Sequence, residues 1–231
     1  MSYSLHGKRK NTYSNKLPPL FPKTHPQKYS KVNKDDNNQI FFKDENNTLT
    51  ETWPTDNKMD MIVEVPSGSY IKYERDDLGN IRCDRILHTA MAYPGNYGYI
   101  PFTLSGDGDP TDIILLTDYA LQAGIYIKIR VVGVLLTEDE KDRDEKILAV
   151  PCIKVDPQYE SINDIDDIPK VIMSKVRHFF EHYKDNEPDK WVRVMGFKDK
   201  KFALKLIKKH HYDYDVKYRT SALPTARVDE E

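Results

Sequence analysis

The chain contains 231 residues, of which 39% are hydrophobic, and its formal net charge is -2 at pH 7. This length and composition predict one domain with a packed core, and the small net charge favours neither nucleic acid nor a membrane as the main partner. No apolar run approaches the roughly 18 residues of a membrane-spanning helix, and the two cysteines, Cys83 and Cys152, lie far apart without a CxxC pair, as is typical of a cytoplasmic protein in a reducing compartment.

Residues 1–55 differ in composition from the rest of the chain. They are rich in Lys, Asn, Ser and Pro, show no hydrophobic period and contain no acidic residue before Asp35. This composition predicts an N-terminal extension that is flexible or loosely docked, with the short IFF segment at 40–42 as its docking point. The absence of acids would suit a targeting peptide, but four prolines between Pro18 and Pro26 oppose the amphipathic helix that such a peptide needs.

From about residue 60 the pattern predicts β-structure. Runs of β-branched or alternating residues are separated by turn signals such as PSGS, DLGN, SGDGDP and QAG. The predicted strands are 61–66, 70–76, 81–87, 112–118, 125–136, 146–155 and 191–197. Many short strands at this spacing are typical of a closed barrel.

Two helices complete the predicted domain, which spans residues 56–212. The first covers 166–185, with Asp167 as a candidate N-cap, Pro169 in the first turn and apolar residues at helical spacing. The second lies around KKFALKLIKK, and residues 213–231 form a predicted polar C-terminal tail.

The segment SGDGDPTDIILL at 105–116 places three carboxylates, Asp107, Asp109 and Asp112, immediately before an aliphatic run. Two such charges about 4 Å apart repel by roughly 4 kcal/mol at an effective dielectric constant near 20. Oxygen ligands without a nearby His or Cys favour a hard cation such as Mg²⁺, Mn²⁺ or Ca²⁺. The alternative is a solvated acidic loop, which is the commoner explanation of such a turn.

A second acidic turn, TEDEKDRDEK at 137–146, offers Asp139 and Asp144, followed by Lys146. If the strands close into a barrel, both turns can open at one rim and surround several metal ions. A basic and phenolic set lies elsewhere in the chain: Lys72, Arg85, Tyr97, Tyr183 and Lys184. Anionic metal ligands combined with cationic donors fit a polyanionic, metal-bridged substrate such as a phosphate anhydride.

Three short-motif alternatives fit less well. An EF-hand loop counted from Asp107 fails, because position 6 is Asp112 instead of glycine and position 12 is Asp118 instead of glutamate. DGDPT matches the Asp-x-Asp-x-Thr loop of haloacid-dehalogenase-like phosphatases, but there the apolar strand precedes the first aspartate, whereas here it follows. HFFEH at 178–182 matches the His-x-x-Glu-His pattern of zinc peptidases, yet its phenylalanines indicate a core-facing helix.

DGDPTDI closely resembles the signature of the family I soluble inorganic pyrophosphatases, Asp-x-Asp-Pro-x-Asp followed by aliphatics. Further segments resemble family landmarks in family order: EVPSGSYIKYE, DRILHTAMAYPGNYGYIP, VVGVL, KILAVP and HFFEHYKD with KWVRVMGF. The resemblance covers roughly residues 58–200. One small departure is Thr111, where the family usually has an aliphatic residue.

The resemblance implies an α+β, mainly β fold: an OB-like closed five-stranded β-barrel with additional strands and two flanking α-helices. It implies hydrolysis of pyrophosphate to two phosphates with several Mg²⁺ ions per active site, Mn²⁺ as a possible substitute and Ca²⁺ as an inhibitor. It also implies a homo-oligomer, dimeric or hexameric. Pyrophosphate and phosphate are then the expected small-molecule partners, with no nucleic acid as main partner and no membrane.

The site residues follow from the same resemblance. Asp107, Asp112, Asp139 and Asp144 resemble the metal-binding aspartates, and Asp109 resembles the general base. Lys72, Arg85, Tyr97, Tyr183 and Lys184 resemble the phosphate-contacting set, and Glu64, Glu74 and Lys146 match further polar positions of the site. Two alternatives stay open: a metal-dependent phosphatase acting on a nucleotide or polyphosphate, and a non-catalytic OB-like binding module with a basic N-terminal arm.

Overall fold

The computed structural model describes residues 57–76, 78–140 and 142–218, together with the backbone of three short strands before them. These strands are β1 (Asn33–Lys34), β2 (Ile40–Lys43) and β3 (Leu49–Thr50), and they pair antiparallel in that order. The IFF segment therefore lies in β2. The other predictions for the extension over 1–55, and those for the tail beyond residue 218, fall outside the described residues.

A closed five-stranded barrel forms the centre of the domain and confirms the predicted fold class. Its strands are β4 (Lys58–Val65), β7 (Asn96–Ile100), β8 (Thr111–Leu115), β9 (Tyr126–Asp139) and β10 (Lys146–Pro151). The order β4-β7-β8-β10-β9 closes because β9 pairs with both β10 and β4. Every pairing is antiparallel except that of β8 with β10, which is parallel.

Three further strands lie outside this closed ring. β5 (Ile71–Arg75) and β6 (Ile81–Ile86) form a separate antiparallel hairpin. β11 (Val192–Asp199) pairs with the second half of β9 and places Val192 opposite Asp139. This pairing extends β9 three residues past the predicted end at 136, so Asp139 is the last residue of a strand and not part of a free turn.

β7 is a strand that the sequence pattern did not predict, because NYGYI has no clear alternation. Gly98 shows why glycine stands there: a Cβ atom at this position would lie 1.9 Å from the carbonyl oxygen of Ile62 on β4. The two backbones approach so closely that any side chain at residue 98 would separate the strands. All five β7 residues are buried, in spite of the polar asparagine at its start.

Both predicted helices are present, α1 (Lys170–His182) and α2 (Lys200–Tyr218). The prediction that Asp167 caps α1 was wrong. Ile168 and Pro169 adopt extended backbone angles and separate Asp167 from the helix, so that Pro169 occupies the N-cap position. Asp167 instead closes a short 3-10 turn, where its carboxylate accepts hydrogen bonds from the backbone of Asn163 and Asp164. At the other end α2 continues through residues 213–218, which belong to the helix rather than to the predicted tail.

The two helices pack against two core clusters that use alternate residues of the same strands. Ile114 lies in the cluster that receives Val176, Phe179 and Phe180 of α1. Its neighbours on β8, Ile113 and Leu115, lie in the cluster that receives Ala203 and Ile207 of α2. Such alternation follows from the two-residue period of a strand. Within the described ranges, neither helix has the combination of length and apolar composition that crossing a membrane requires.

Candidate active site

A cleft of about 810 Å³ lies between the barrel, the β5–β6 hairpin and the C-terminal ends of both helices. Its lining brings together all thirteen residues that the sequence predicted for the site: Glu64, Lys72, Glu74, Arg85, Tyr97, Asp107, Asp109, Asp112, Asp139, Asp144, Lys146, Tyr183 and Lys184. These residues come from seven separate stretches of the chain, so their common position is a property of the fold.

The first acidic turn lies in the connection between β7 and β8 and is exposed. The carboxylate of Asp107 accepts hydrogen bonds from the Ser105 hydroxyl at 2.6 Å and from the Asp109 backbone N–H at 3.1 Å. Gly108 has a φ of 92°, a left-handed conformation in which glycine carries no steric cost. The turn therefore orients Asp107 from within, while Asp109 stands at its exposed tip.

Asp112 and Asp144 converge on one buried ammonium group. Lys146 is 3% exposed and its Nζ atom donates to a carboxylate oxygen of each aspartate. The parallel pairing of β8 with β10 explains this convergence, because the N-terminal ends of parallel strands lie side by side. Burial by itself would lower the pKa of Lys146, but the charges of Asp112 and Asp144 raise it well above its usual value.

Tyr97 adds a second donor and a third hydrogen bond to this group, since its hydroxyl donates to the same Asp112 oxygen that Lys146 contacts. Burial, followed by the charge of Asp112, raises the pKa of Tyr97 far above the ordinary value. The phenol therefore stays neutral and acts as a hydrogen-bond donor at all physiological pH values. Burial also raises the pKa of Asp144, which disfavours its charged form when only Lys146 compensates it.

The second acidic turn meets the C-terminal end of α1. The Lys184 ammonium lies 2.8 Å from a carboxylate oxygen of Asp139 and 3.4 Å from one of Glu140. Both Asp139 and Lys184 are buried, at 9% and 6% exposure. Tyr183, which precedes the lysine, packs its ring parallel to that of Phe179 at 5.1 Å, and burial raises its pKa above the ordinary value. The end of α1 thus supplies a neutral and a charged donor side by side.

The β5–β6 hairpin and β4 form the opposite wall of the cleft. Lys72 and Arg85 are directly opposed in the ladder, Lys72 Nζ donates to Glu74 at 2.5 Å, and Arg85 lies 3.2 Å from Asp84. Glu64 of β4 accepts a hydrogen bond from the backbone N–H of Arg75 at 3.1 Å. Burial and the charge of Asp112 raise the pKa of Glu64 to about 8, so this carboxyl is mostly protonated at pH 7.

Glu187 does not line the cleft, but it contacts Arg85 of the lining, and the sequence analysis missed it. It is 7% exposed, its carboxylate lies 2.7 Å from Lys190, and its second oxygen faces the Arg85 Nε at 3.6 Å. That oxygen and the Arg85 Nε are both buried without a hydrogen bond. Glu187 lies in the segment between HFFEHYKD and KWVRVMGF, where its charge alone could not distinguish it from the acids around it.

The cleft fits a hard divalent cation by the chemistry of its donors. Within the described ranges no group of three or more His, Cys, Asp or Glu side chains is already gathered around a common point. However, the acidic groups offer only oxygen, as Mg²⁺ and similar ions require, and Asp112 and Asp144 already direct one oxygen each to the same cationic group. The aspartates therefore offer the donor chemistry that a hard divalent ion requires.

The histidines of the HFFEH segment do not belong to this cleft. The ring centroids of His178 and His182 lie 4.9 Å apart on α1, and His182 Nδ1 is 2.9 Å from the carboxylate of Asp185. Neither ring is in the cleft lining. Both histidines are exposed on α1, while Phe179 and Phe180 between them face the core as the sequence predicts.

Comparisons with known proteins agree with this geometry. A sequence model of the family described as "Inorganic pyrophosphatase" matches residues 61–215. The chain is 48% identical over 159 residues to an inorganic pyrophosphatase of Campylobacter jejuni, covering 68% of this chain and 92% of the relative. It is 51% identical over 153 residues to one of Nanoarchaeum equitans, covering 66% of this chain and 95% of the relative.

Solved structures give the same result. The structure of the Helicobacter pylori inorganic pyrophosphatase superimposes with a TM-score of 0.68 and 46% identity, covering 69% of this chain and 94% of the other. That of the Thermus thermophilus inorganic pyrophosphatase superimposes with a TM-score of 0.68 and 43% identity, covering 73% of this chain and 97% of the other. The similarity therefore extends over nearly the full length of these proteins.

Proposed function

The chain belongs to the inorganic pyrophosphatase family, and from this premise we propose that its cleft hydrolyses inorganic pyrophosphate to two orthophosphates with Mg²⁺ ions held by its aspartates. The observation that carries the proposal is the presence, in one cleft, of an acidic group and a separate set of cationic and phenolic donors. Carboxylates alone would repel a pyrophosphate anion. Cationic side chains alone would bind the anion but would not activate a water molecule. The combination suits a substrate that arrives together with divalent cations.

Asp107, Asp112, Asp139 and Asp144 are the proposed metal ligands. Divalent ions bound by these carboxylates supply positive charge for the substrate and a coordinated water of lowered pKa. Lys146 keeps Asp112 and Asp144 close together without metal, because its ammonium bonds to both. Lys184, at the end of α1, holds Asp139 in place through an ion pair at 2.8 Å.

Asp109 is the proposed general base. It lies at the exposed tip of the turn, flanked by Asp107 and Asp112, and it lines the cleft. Its carboxylate accepts the proton of the attacking water as the new P–O bond forms. The Asp109 N–H donates to the Asp107 carboxylate at 3.1 Å, so the proposed base and a proposed metal ligand are neighbours within the turn.

Five residues are proposed to bind the phosphate groups: Lys72, Arg85, Tyr97, Tyr183 and Lys184. The planar guanidinium of Arg85 can bind a phosphate through two parallel hydrogen bonds, whereas the lysines act as point charges. Tyr97 and Tyr183 remain neutral, because burial raises the pKa of both hydroxyls. Together these donors stabilise the charge that moves onto the leaving phosphate.

Glu64 and Glu74 are proposed to support this set. Glu74 holds the ammonium of Lys72 at 2.5 Å and thereby limits its rotamers. Glu64, with its pKa raised to about 8, can donate a proton in a hydrogen bond at neutral pH and adds little negative charge to the cleft.

A phosphate-release assay tests the function directly. Purified full-length protein should release phosphate from pyrophosphate in the presence of Mg²⁺ much faster than from ATP or tripolyphosphate at the same concentration. Mn²⁺ should support part of this activity, and Ca²⁺ should inhibit it, because its larger and less regular coordination shell does not fit an octahedral site. Faster release from ATP or tripolyphosphate would identify a different phosphoanhydride as substrate, and no release from any of them would favour a binding module.

We also propose a cytoplasmic homo-oligomer, either dimer or hexamer. Large apolar side chains that are exposed on and next to β11 and α2 support a contact with a second copy of the chain. Trp191 is 43% exposed, Met195 49% and Phe202 42%. Light scattering coupled to size exclusion should give a mass that is a multiple of the 27.0 kDa subunit. A mass equal to that of one subunit at micromolar concentration would contradict the proposed assembly.

A further inference from the structure

The connection that carries Asp107 and Asp109 is attached to helix α2 at three points. The Leu104 N–H donates to the carbonyl oxygen of His210 at 2.8 Å, and the Nδ1 of His211 bonds to the carbonyl oxygen of Phe102 at 2.7 Å. At the other end of the connection, the Thr111 hydroxyl is hydrogen-bonded to the Nδ1 of His210 at 2.9 Å. Two adjacent histidines of one helix therefore contact both ends of the acidic connection.

The Thr111–His210 bond is buried and the His211–Phe102 bond is partly buried, whereas the turn that they flank is exposed. Thr111 is 0% exposed and His210 4%, so a missing partner would leave a desolvated polar group at a cost of about 1–3 kcal/mol. Burial, and then the charge of Lys209, lowers the pKa of His210 to about 4, which leaves its ring neutral and able to accept the hydroxyl hydrogen of Thr111. The bond is consistent with the neutral ring in this position.

The backbone at the start of the connection also depends on external support. Phe102 has a φ of 60°, a left-handed conformation that costs a non-glycine residue about 1–2 kcal/mol. Its ring packs edge-on against Tyr214 of α2 at 5.9 Å, and its carbonyl oxygen bonds to His211. Both contacts come from the same helix, which is itself held in the core through Ala203 and Ile207.

We propose that His210 and His211, with Thr111 as partner, are positioning residues. They fix the Asp107–Asp109 turn because they hydrogen-bond both ends of the connection to α2. The bonds within the turn, from Ser105 and from the Asp109 N–H to Asp107, are exposed and cannot by themselves hold two like charges together. The proposal rests on the proposed function, since it assumes that Asp107 binds metal and that Asp109 receives the proton. It gives a role to Thr111, where the family usually has an aliphatic residue.

The test compares metal binding in four variants of the full-length protein. Thr111→Val removes the hydroxyl at nearly constant volume, and His211→Leu removes the bond to Phe102. Thr111→Ser keeps the hydroxyl and serves as the conservative rescue. Ile207→Val is the matched stability control, because it trims a fully buried residue of the same helix whose apolar side chain makes no hydrogen bond. The main readout is Mn²⁺ binding by calorimetry without substrate, which does not depend on turnover.

We expect Thr111→Val and His211→Leu to weaken Mn²⁺ binding about tenfold, the lower end of the loss caused by removing a direct hydrogen bond to a metal ligand, because both act on Asp107 through the backbone of the connection. Thr111→Ser and Ile207→Val should bind Mn²⁺ with the wild-type affinity. In pyrophosphate hydrolysis, the Mg²⁺ concentration needed for half-maximal rate should rise in the first two variants, and kcat at saturating Mg²⁺ should stay reduced because Asp109 is displaced as well.

The positioning role and the hydrolysis of pyrophosphate can be refuted separately. Wild-type Mn²⁺ affinity in both Thr111→Val and His211→Leu, or equal weakening in Ile207→Val, would overturn the positioning role even if the enzyme hydrolyses pyrophosphate. Absence of pyrophosphate hydrolysis by the wild-type protein would overturn the proposed function. The comparison of Mn²⁺ affinities would still test whether His211 and Thr111 position the turn. A wild-type protein that binds no Mn²⁺ would refute both.

Discussion

Replacing Lys146 with methionine should destabilise the metal-free protein strongly and make it unusually dependent on divalent cations. Lys146 is 3% exposed, and its ammonium is bonded to Asp112 and Asp144, whose side chains are 26% and 17% exposed. Methionine has nearly the same length and volume, so the substitution removes the charge without opening a large cavity. What remains is a pair of carboxylates without the cation that holds them together.

The expected magnitude follows from the burial of the pair. Breaking a buried ion pair by removing one partner typically costs about 3–5 kcal/mol, because the other charge stays desolvated. For a domain of this size each kcal/mol lowers the melting temperature by about 2–4 °C. Lys146→Met should therefore melt about 6–20 °C below the wild type in EDTA, by the product of these two ranges.

Lys128→Met is the matched control. Lys128 forms an ion pair with Asp60 at 2.8 Å, but both side chains are largely exposed, at 61% and 44%. Such surface pairs contribute about 0–1 kcal/mol, so this variant should melt within about 4 °C of the wild type, the upper limit of that range. The two substitutions are chemically identical and differ only in the burial of the charge that is lost.

Thermal unfolding followed by circular dichroism, with EDTA and with a series of Mg²⁺ concentrations, measures both effects. Mg²⁺ should raise the melting temperature of Lys146→Met more than that of the wild type, because Asp112 and Asp144 no longer share their oxygens with an ammonium. A cation at about 100 times its dissociation constant stabilises by about 2.7 kcal/mol. Equal melting temperatures of the two variants in EDTA, or equal responses to Mg²⁺ in Lys146→Met and wild type, would refute the reasoning.

Three further predictions concern single side chains. Asp109→Asn should reduce turnover about 10²–10⁴-fold with melting temperature and Mn²⁺ binding retained; near-normal turnover in steady-state kinetics would remove Asp109 as base. Arg85→Ala should weaken phosphate binding by calorimetry about tenfold or more, whereas Arg82→Ala, whose exposed side chain on the same strand pairs with Asp76, should not; equal affinities would exclude Arg85 from the site. His210 should make the protein acid-sensitive, because its pKa falls from 6.5 to about 4 on folding. Between these pH values the unfolded state binds more protons than the folded state. About 3 kcal/mol of stability, present above pH 6.5, is therefore lost as the pH falls to 4. Urea unfolding of His210→Gln should show a flatter profile over this range, and an unchanged profile would assign the acid sensitivity elsewhere.

Local signals in the sequence were sufficient for most of the elements. The alternating runs predicted the barrel strands β4, β8, β9 and β10, and the helical spacing of the 166–185 segment predicted α1. β7 escaped because its burial on both faces removes the alternation that marks a half-buried strand. Asp167 was misassigned because a capping residue is recognised by its position, and the extended angles of Ile168 and Pro169 that displaced it are not visible in the pattern.

The identities of the proposed site residues were determined by the sequence itself. The acids of DGDPTDI and TEDEKDRDEK stand out because a core does not tolerate such charges without compensation, and a family resemblance supplied the lysines, the arginine and the tyrosines. Each of these residues carries its chemistry in its side chain. Their selection therefore required no knowledge of which strands would become neighbours.

Only the tertiary structure decided which of these groups compensate one another. The parallel pairing of β8 with β10 joins Asp112 and Asp144 through Lys146, and the end of α1 brings Lys184 to Asp139. The same holds for His210 and Thr111, which are 99 residues apart in the chain and form one buried hydrogen bond. Burial and electrostatic pairing depend on long-range packing, and a linear pattern contains no information on the distance between residues that are remote in sequence.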